Sequence, residues 1–214
     1  MNYLPKNLSF KEGIAYIGET SLVDVAKNYG TPLYVYDWEH LKGNIDAFTE
    51  AFGKDALFRY AAKAFISKAL VKELDEKGWG IDVVSGGEMA TVQETVGTLE
   101  NTVFNGTFKR TDEIEYFIQN NGGHISIDNR YEIEMLEKAA SSLKKKQPVI
   151  MRINLDVGAE THPMVLTSGY DQQFGISISF AEEALNQIAS SKSLLFSGIH
   201  VHICLLYTSP SPRD

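Results

Sequence analysis

Apolar and β-branched residues gather in six short runs along the chain, at 57–62, 80–85, 102–105, 125–128, 149–154 and 195–203, each bounded by turn-forming residues. Apolar character kept up over so short a length predicts strands buried on both faces, as in a parallel sheet. Between the runs, apolar residues return at every third or fourth position. Ile66, Leu70 and Leu74 predict one helix, and Ile133, Leu136 and Ala140 predict another. Thr111, ahead of Asp112, Glu113 and Ile114, reads as a helix start, and Gly78 and Gly122 fall where helices should stop. The first five runs begin roughly 22 to 24 residues apart, room for a strand, a helix and two short loops.

Regular alternation of this kind predicts an α/β fold with right-handed crossovers, either a doubly wound open sheet or a (β/α)8 barrel. A dinucleotide-binding sheet would carry G-x-G-x-x-G after its first strand, and this chain has Ala61-Ala62-Lys63-Ala64 there. The barrel is the better fit. Polar residues recur at the C-terminal ends of the runs: Lys63, then Asp82 and Ser85, Asn105 and Lys109, Asp128, Arg152 and Asn154, and finally His200 and His202. In barrels that end gathers the catalytic loops. Singly, each has a plainer reading, since Asp128 and Asn105 suit turns and Asp82 suits a satisfied buried carboxylate. Lys63 alone could snorkel to water at a strand end. Held among alanines and aromatics, however, its ammonium form is disfavoured by desolvation, and a neutral amine can form an imine with a carbonyl compound.

Composition narrows the partners. The 214 residues are 43% hydrophobic with a net charge of −8, and the basic residues form no face or tail apart from Lys144-Lys145-Lys146. That run reads as a cap on the C-terminal end of its own helix, where cations oppose the dipole. Nucleic acid and anionic membranes are therefore poor partners. No apolar run approaches the roughly 18 residues that span a bilayer, and residues 1–11 lack a signal-peptide layout. A single cysteine, Cys204, allows no internal disulfide, so a cytoplasmic home is expected. No His or Cys spacing matches a zinc site and no G-x-S-x-G elbow is present. The long connection 155–178, with Thr161-His162-Pro163 and Ser168-Gly169-Tyr170-Asp171, reads as a lid or substrate loop.

Several motifs keep a shared order: Tyr60-Ala61-Ala62-Lys63-Ala64, Asp82-Val83-Val84-Ser85-Gly86-Gly87-Glu88, Asn105-Gly106-Thr107-Phe108-Lys109, Arg152-Ile153-Asn154, Phe174-Gly175-Ile176, and Gly198-Ile199-His200-Val201-His202. Together they resemble the barrel half of the fold-type III pyridoxal-phosphate decarboxylases, with Val-Ser-Gly-Gly-Glu and the His-Pro loop pointing to the diaminopimelate branch. The resemblance implies an incomplete (β/α)8 TIM barrel of the alanine-racemase/PLP-decarboxylase type. It implies pyridoxal 5'-phosphate as cofactor, with Lys63 carrying the imine and aiding reprotonation. His202 would stack on the cofactor ring with Asp82 holding that imidazole, while Glu88 and Arg152 would line the pocket. It further implies decarboxylation of meso-diaminopimelate to L-lysine, a small amino-acid substrate, and a homodimer in the full-length protein. Decarboxylases of ornithine, arginine or carboxynorspermidine, an amino-acid racemase, a cofactor-free barrel aldolase and a non-catalytic binding barrel remain as alternatives.

The chain departs from that pattern twice. Gly-Ser-Gln is expected after the histidine strand, and Cys204-Leu205-Leu206 stands there, opening an 11-residue tail whose composition looks foreign. A lysine common before Phe-Gly-Ile is Gln173. The expected organisation is an N-terminal segment 1–34 that would pack with a β domain, a partial barrel 35–203 and a non-native tail 204–214. Eight βα units need about 250 residues, so this chain by itself is expected to be inactive and unstable.

Overall fold

The computed structural model describes residues 7–53, 55–154 and 174–202. The His162 loop, Gln173 and the 204–214 tail lie outside the described residues. The chain divides into two compact units, Met1–Leu57 and Phe58–Asp214.

In the first unit, β1 (Leu8–Lys11), β2 (Ile14–Ile17) and β3 (Thr20–Ser21) form an antiparallel meander. Glu12 and Gly13 join β1 to β2 with φ of 52° and 79°, the paired positive values of a two-residue hairpin turn. Two helices follow, α1 (Leu22–Tyr29) and α2 (Trp38–Phe52). Ser21 caps α1 by accepting the Asp24 amide and Asp37 caps α2 by accepting the His40 amide.

The second unit runs β4 (Arg59–Ala61), a 3₁₀ turn (Ala62–Ala64), α3 (Lys68–Glu76), β5 (Gly80–Val83), α4 (Gly86–Val96), β6 (Thr102–Phe104) and α5 (Thr111–Gln119). It continues with β7 (His124–Ile127), α6 (Arg130–Ser142), β8 (Gln147–Asn154), β9 (Ile176–Ser177), α7 (Ala181–Ser190) and β10 (Leu194–His200). All the pairings are parallel, and the strand order is β4-β5-β6-β7-β8-β10, with the short β9 beside the end of β8. Each long strand therefore lies beside its predecessor, with none of the order reversal that defines a doubly wound sheet. One-directional addition of βα units is barrel topology, as the alternation predicts. The core lies between strands and helices: Val83, Phe104, Ile125, Val149 and Met151 from the sheet meet Leu74, Met89, Phe117, Leu136 and Ala184 from the helices, all with no exposed surface.

All six predicted strands are present, with altered ends. β4 starts only at Arg59, and Ile66 precedes α3 instead of lying on it. Thr111 is the first helical residue of α5 and Arg110 its cap. The cause is Glu113, whose carboxylate accepts the Arg110 amide at 3.2 Å and the Gly86 amide at 2.8 Å. The lysine run also acts differently from expectation. Lys144 takes a left-handed φ of 54° after α6, while the Lys145 ammonium donates to the Ile118 and Gln119 carbonyls, closing α5 and not its own helix. Among the described residues, no helix is long and apolar enough to cross a membrane.

Candidate active site

Three helices of the second unit begin the same way. Ser67, Ser85 and Asn129 each place a side-chain oxygen on the amide three residues ahead, at 3.2, 3.4 and 3.2 Å. Ser85 and Asn129 follow their strands by two residues, and Ser67 follows β4 after the 3₁₀ turn, so these turns cluster at the C-terminal end of the sheet. There a cavity of about 540 Å³ opens, a volume suited to a small-molecule cofactor. Its polar lining includes Lys63, Asp82, Asn105, Arg152, His200 and His202, with Phe108 and Phe174 among its apolar walls. Four of the five residues singled out from sequence thus meet in one place: Lys63, Asp82, Arg152 and His202.

Glu88 does not join them among the described residues. Its Oε2 accepts the Val84 amide at 2.6 Å, so it stands behind the cavity wall and acts there through Val84, itself a lining residue. Glu132 has the same place on α6, accepting the Asp128 amide at 2.8 Å. A glutamate at the third helical position turning back to the chain is a capping contact. Glu88 carries no different geometry.

Lys63 sits in the 3₁₀ turn just past β4 and is exposed at the cavity. The expectation of an amine dried by alanines and aromatics is not met by the described residues: the strand ends at Ala61, one residue earlier than expected, and Lys63 stands exposed at the cavity. Asp82 differs too. Its Oδ2 accepts from Asn105 Nδ2 at 3.0 Å, so its hydrogen-bond partner is an amide and not an imidazole. Its Oδ1 is buried and, among the described residues, has no partner. Burial pushes this carboxyl above the usual range, and the Asn105 hydrogen bond and the Lys63 charge oppose that rise.

Arg152 is buried and donates from Nη1 to Asp128 Oδ1 at 2.7 Å, with its guanidinium 5.4 Å from the Phe174 ring centre. His200 stands opposite Arg152 in the β8–β10 register. Its Nδ1 lies 3.1 Å from the hydroxyl of the buried Ser126. Burial, then the Arg152 and His202 charges, push His200 down to about 4, so at neutral pH it is an uncharged imidazole. His202 is lowered as well, by burial and then by Arg152 and Lys63. The sequence places His200 with His202 at the end of the last strand but assigns it no role of its own. Spacing of two places both rings on one side of an extended segment, which is the signal that pairs them.

A phosphorylated aldehyde fits this set: an amine for the aldehyde, a guanidinium and two imidazoles for anionic groups, and an unpartnered buried carboxylate oxygen for a ring donor. Lys63, Asp82, Arg152 and His202 are the residues that could hold it.

The comparisons agree with the chemistry. A family model described as pyridoxal-dependent decarboxylase, pyridoxal binding domain, matches residues 39–208. The chain is similar to the diaminopimelate decarboxylase of Zymomonas mobilis, 36% identical over 96% of this chain and 50% of that protein. That of Aquifex aeolicus is 34% identical over 92% of this chain and 46% of that protein. The chain spans about half the length of the curated relatives it matches. A solved diaminopimelate decarboxylase from M. jannaschii, in complex with L-lysine, superposes with a TM-score of 0.82 at 29% identity, covering 92% of this chain and 48% of that one. With most of its length matched by one domain model, this chain belongs to the pyridoxal-dependent decarboxylase family, through that family's pyridoxal-binding domain.

Proposed function

We propose that the whole protein decarboxylates meso-diaminopimelate to L-lysine and CO2, using pyridoxal phosphate held in the cavity described above. The observation that carries this reading is the meeting of Lys63 with Asp82, Arg152 and His202 in one cavity; the names of the similar proteins supply the substrate. When bound, pyridoxal phosphate supplies an electron sink for the pair left behind as CO2 departs. Lys63 Nζ would hold the cofactor aldehyde and would return a proton to the substrate carbon that loses its carboxylate. Asp82, with its raised affinity for a proton, would serve as a hydrogen-bonding partner of the cofactor ring. His202 would pack against that ring, and Arg152, held by Asp128, would line the pocket and offer its guanidinium to an anionic group of the ligand. Glu88 acts indirectly, by fixing the Val84 amide. A homodimer is the assembly we assign to the whole protein, which sedimentation can test.

Lys63→Ala in the full-length protein should abolish the visible absorbance gained on binding the cofactor. It should also cut CO2 release from meso-diaminopimelate on the order of 10³-fold or more. A variant that keeps both would remove the assignment, and CO2 release from ornithine or arginine alone would replace its substrate.

A further inference from the structure

Beneath the cavity lies an ion pair for which the reading above has no use. Lys109 follows the loop after β6, and its side chain has no exposed surface; Glu132 of α6 is 4% exposed. Lys109 Nζ donates to Glu132 Oε2 at 2.9 Å and to the Gly106 carbonyl at 2.5 Å. The same Glu132 oxygen accepts the Asp128 amide, and Asp128 Oδ1 takes the Arg152 guanidinium at 2.7 Å. One buried ammonium thus ties together two parts of the cavity wall, the 105–108 loop and the guanidinium of Arg152.

Taking both charges out of water is costly, and apolar residues of similar volume often serve stability as well or better. Burial accordingly presses Lys109 down and Glu132 up, each opposed by the other's charge. Such a pair stabilises poorly for what it costs, but it orients well. Its acceptors are directional, and the loop it holds has little slack, because a Cβ on Gly106 would lie 2.9 Å from the Val84 carbonyl. Asn105, the partner of Asp82, starts that loop. We infer that Lys109 and Glu132 are positioning residues, whose ion pair pre-sets the Asn105–Asp82 contact and the Arg152–Asp128 pair so that the cavity receives its phosphorylated ligand without rearrangement. Preorganisation of this kind acts on ligand affinity and leaves fold stability largely alone.

The inference rests on the proposed cofactor site, and its test separates the two. In the full-length protein, dissociation constants are measured for pyridoxal phosphate and for pyridoxine phosphate, which lacks the aldehyde and so reads the pocket without Lys63 chemistry. Wild type failing to bind either ligand sinks the cofactor site itself. With wild type binding, Lys109→Met and the charge-free double variant Lys109→Met/Glu132→Met should each weaken both ligands about tenfold. The unfolding temperature of the ligand-free double variant should match or exceed wild type. In an Arg152→Met background the effect of Lys109→Met should shrink to about threefold or less, a coupling that general destabilisation would not produce. Unchanged affinities in the double variant overturn the inference, and so does a double variant that fails to fold, which would assign the pair to stability.

Discussion

Glu88 and Glu132 make the same contact, each returning a carboxylate oxygen to an amide just before its helix. The sequence marks the first as a pocket residue and does not mark the second, because a glutamate in a Ser-Gly-Gly-Glu motif reads equally as cap or ligand until its partner is known. Lys63, Asp82, Arg152 and His202 were legible, since strand ends converge wherever parallel strands lie side by side. Their partners were not: Asn105 on Asp82 and Ser126 on His200 are contacts across strands. At His200 the consequence can be measured. Its folded value of about 4 lies below the ordinary 6.5, so between those values the unfolded chain takes a proton that the folded chain refuses. Stability from this ring is complete above about pH 6.5 and is lost as pH falls toward 4. His200→Gln should therefore lessen the drop in unfolding temperature between pH 7 and pH 4.5, with His124 and His202, lowered in the same sense, also contributing to that drop. An identical drop in variant and wild type would mean that the ring is hydrated.

Caps mark where each element can end, and here sequence was a partial guide. Gly78 closes α3 with a φ of 74°, as a glycine at a helix stop should. Gly122 is needed for another reason. The left-handed residue after α5 is Asn121, at 54°, while the Gly122 amide donates to the Phe117 carbonyl at 2.9 Å. A Cβ on Gly122 would fall 2.2 Å from the Phe117 ring. That ring is fully buried and lies 5.8 Å from the ring of Phe104. Gly122→Ala should accordingly destabilise by about 1–3 kcal/mol through overpacking, read by urea unfolding. Asn121→Gly relieves a positive φ but removes the Oδ1 that accepts from Lys145 Nζ at 2.8 Å, so its net effect should stay within about 1 kcal/mol. A neutral Gly122→Ala would show that Phe117 can yield. For the lysine run, charge patterning shows which residues can cap, and only packing shows which helix end lies within reach.

Across the molecule, the cavity borders on segments from β4, β5, β6, β8 and β10, so a ligand there bridges elements far apart in the chain. Binding to the folded state alone must then stabilise the whole: pyridoxal phosphate at about 100 times its dissociation constant should add about 2.7 kcal/mol. Calorimetry with and without the ligand checks this, and an unmoved transition would argue that the cavity does not bind it. Local pattern was enough for the strands, the helices between them and the barrel over the doubly wound sheet, because alternation and the missing glycine turn are properties of neighbours along the chain. The hairpin meander of the first unit is faint in the sequence, its strands being short and its turn signal only Glu12-Gly13. What side chains do at the ends of the strands depended on the folded chain: Lys63 at an open turn, Asp82 against Asn105, Lys109 beneath the wall. Those facts are distances between residues remote in sequence, and no periodicity along a chain encodes a distance across it.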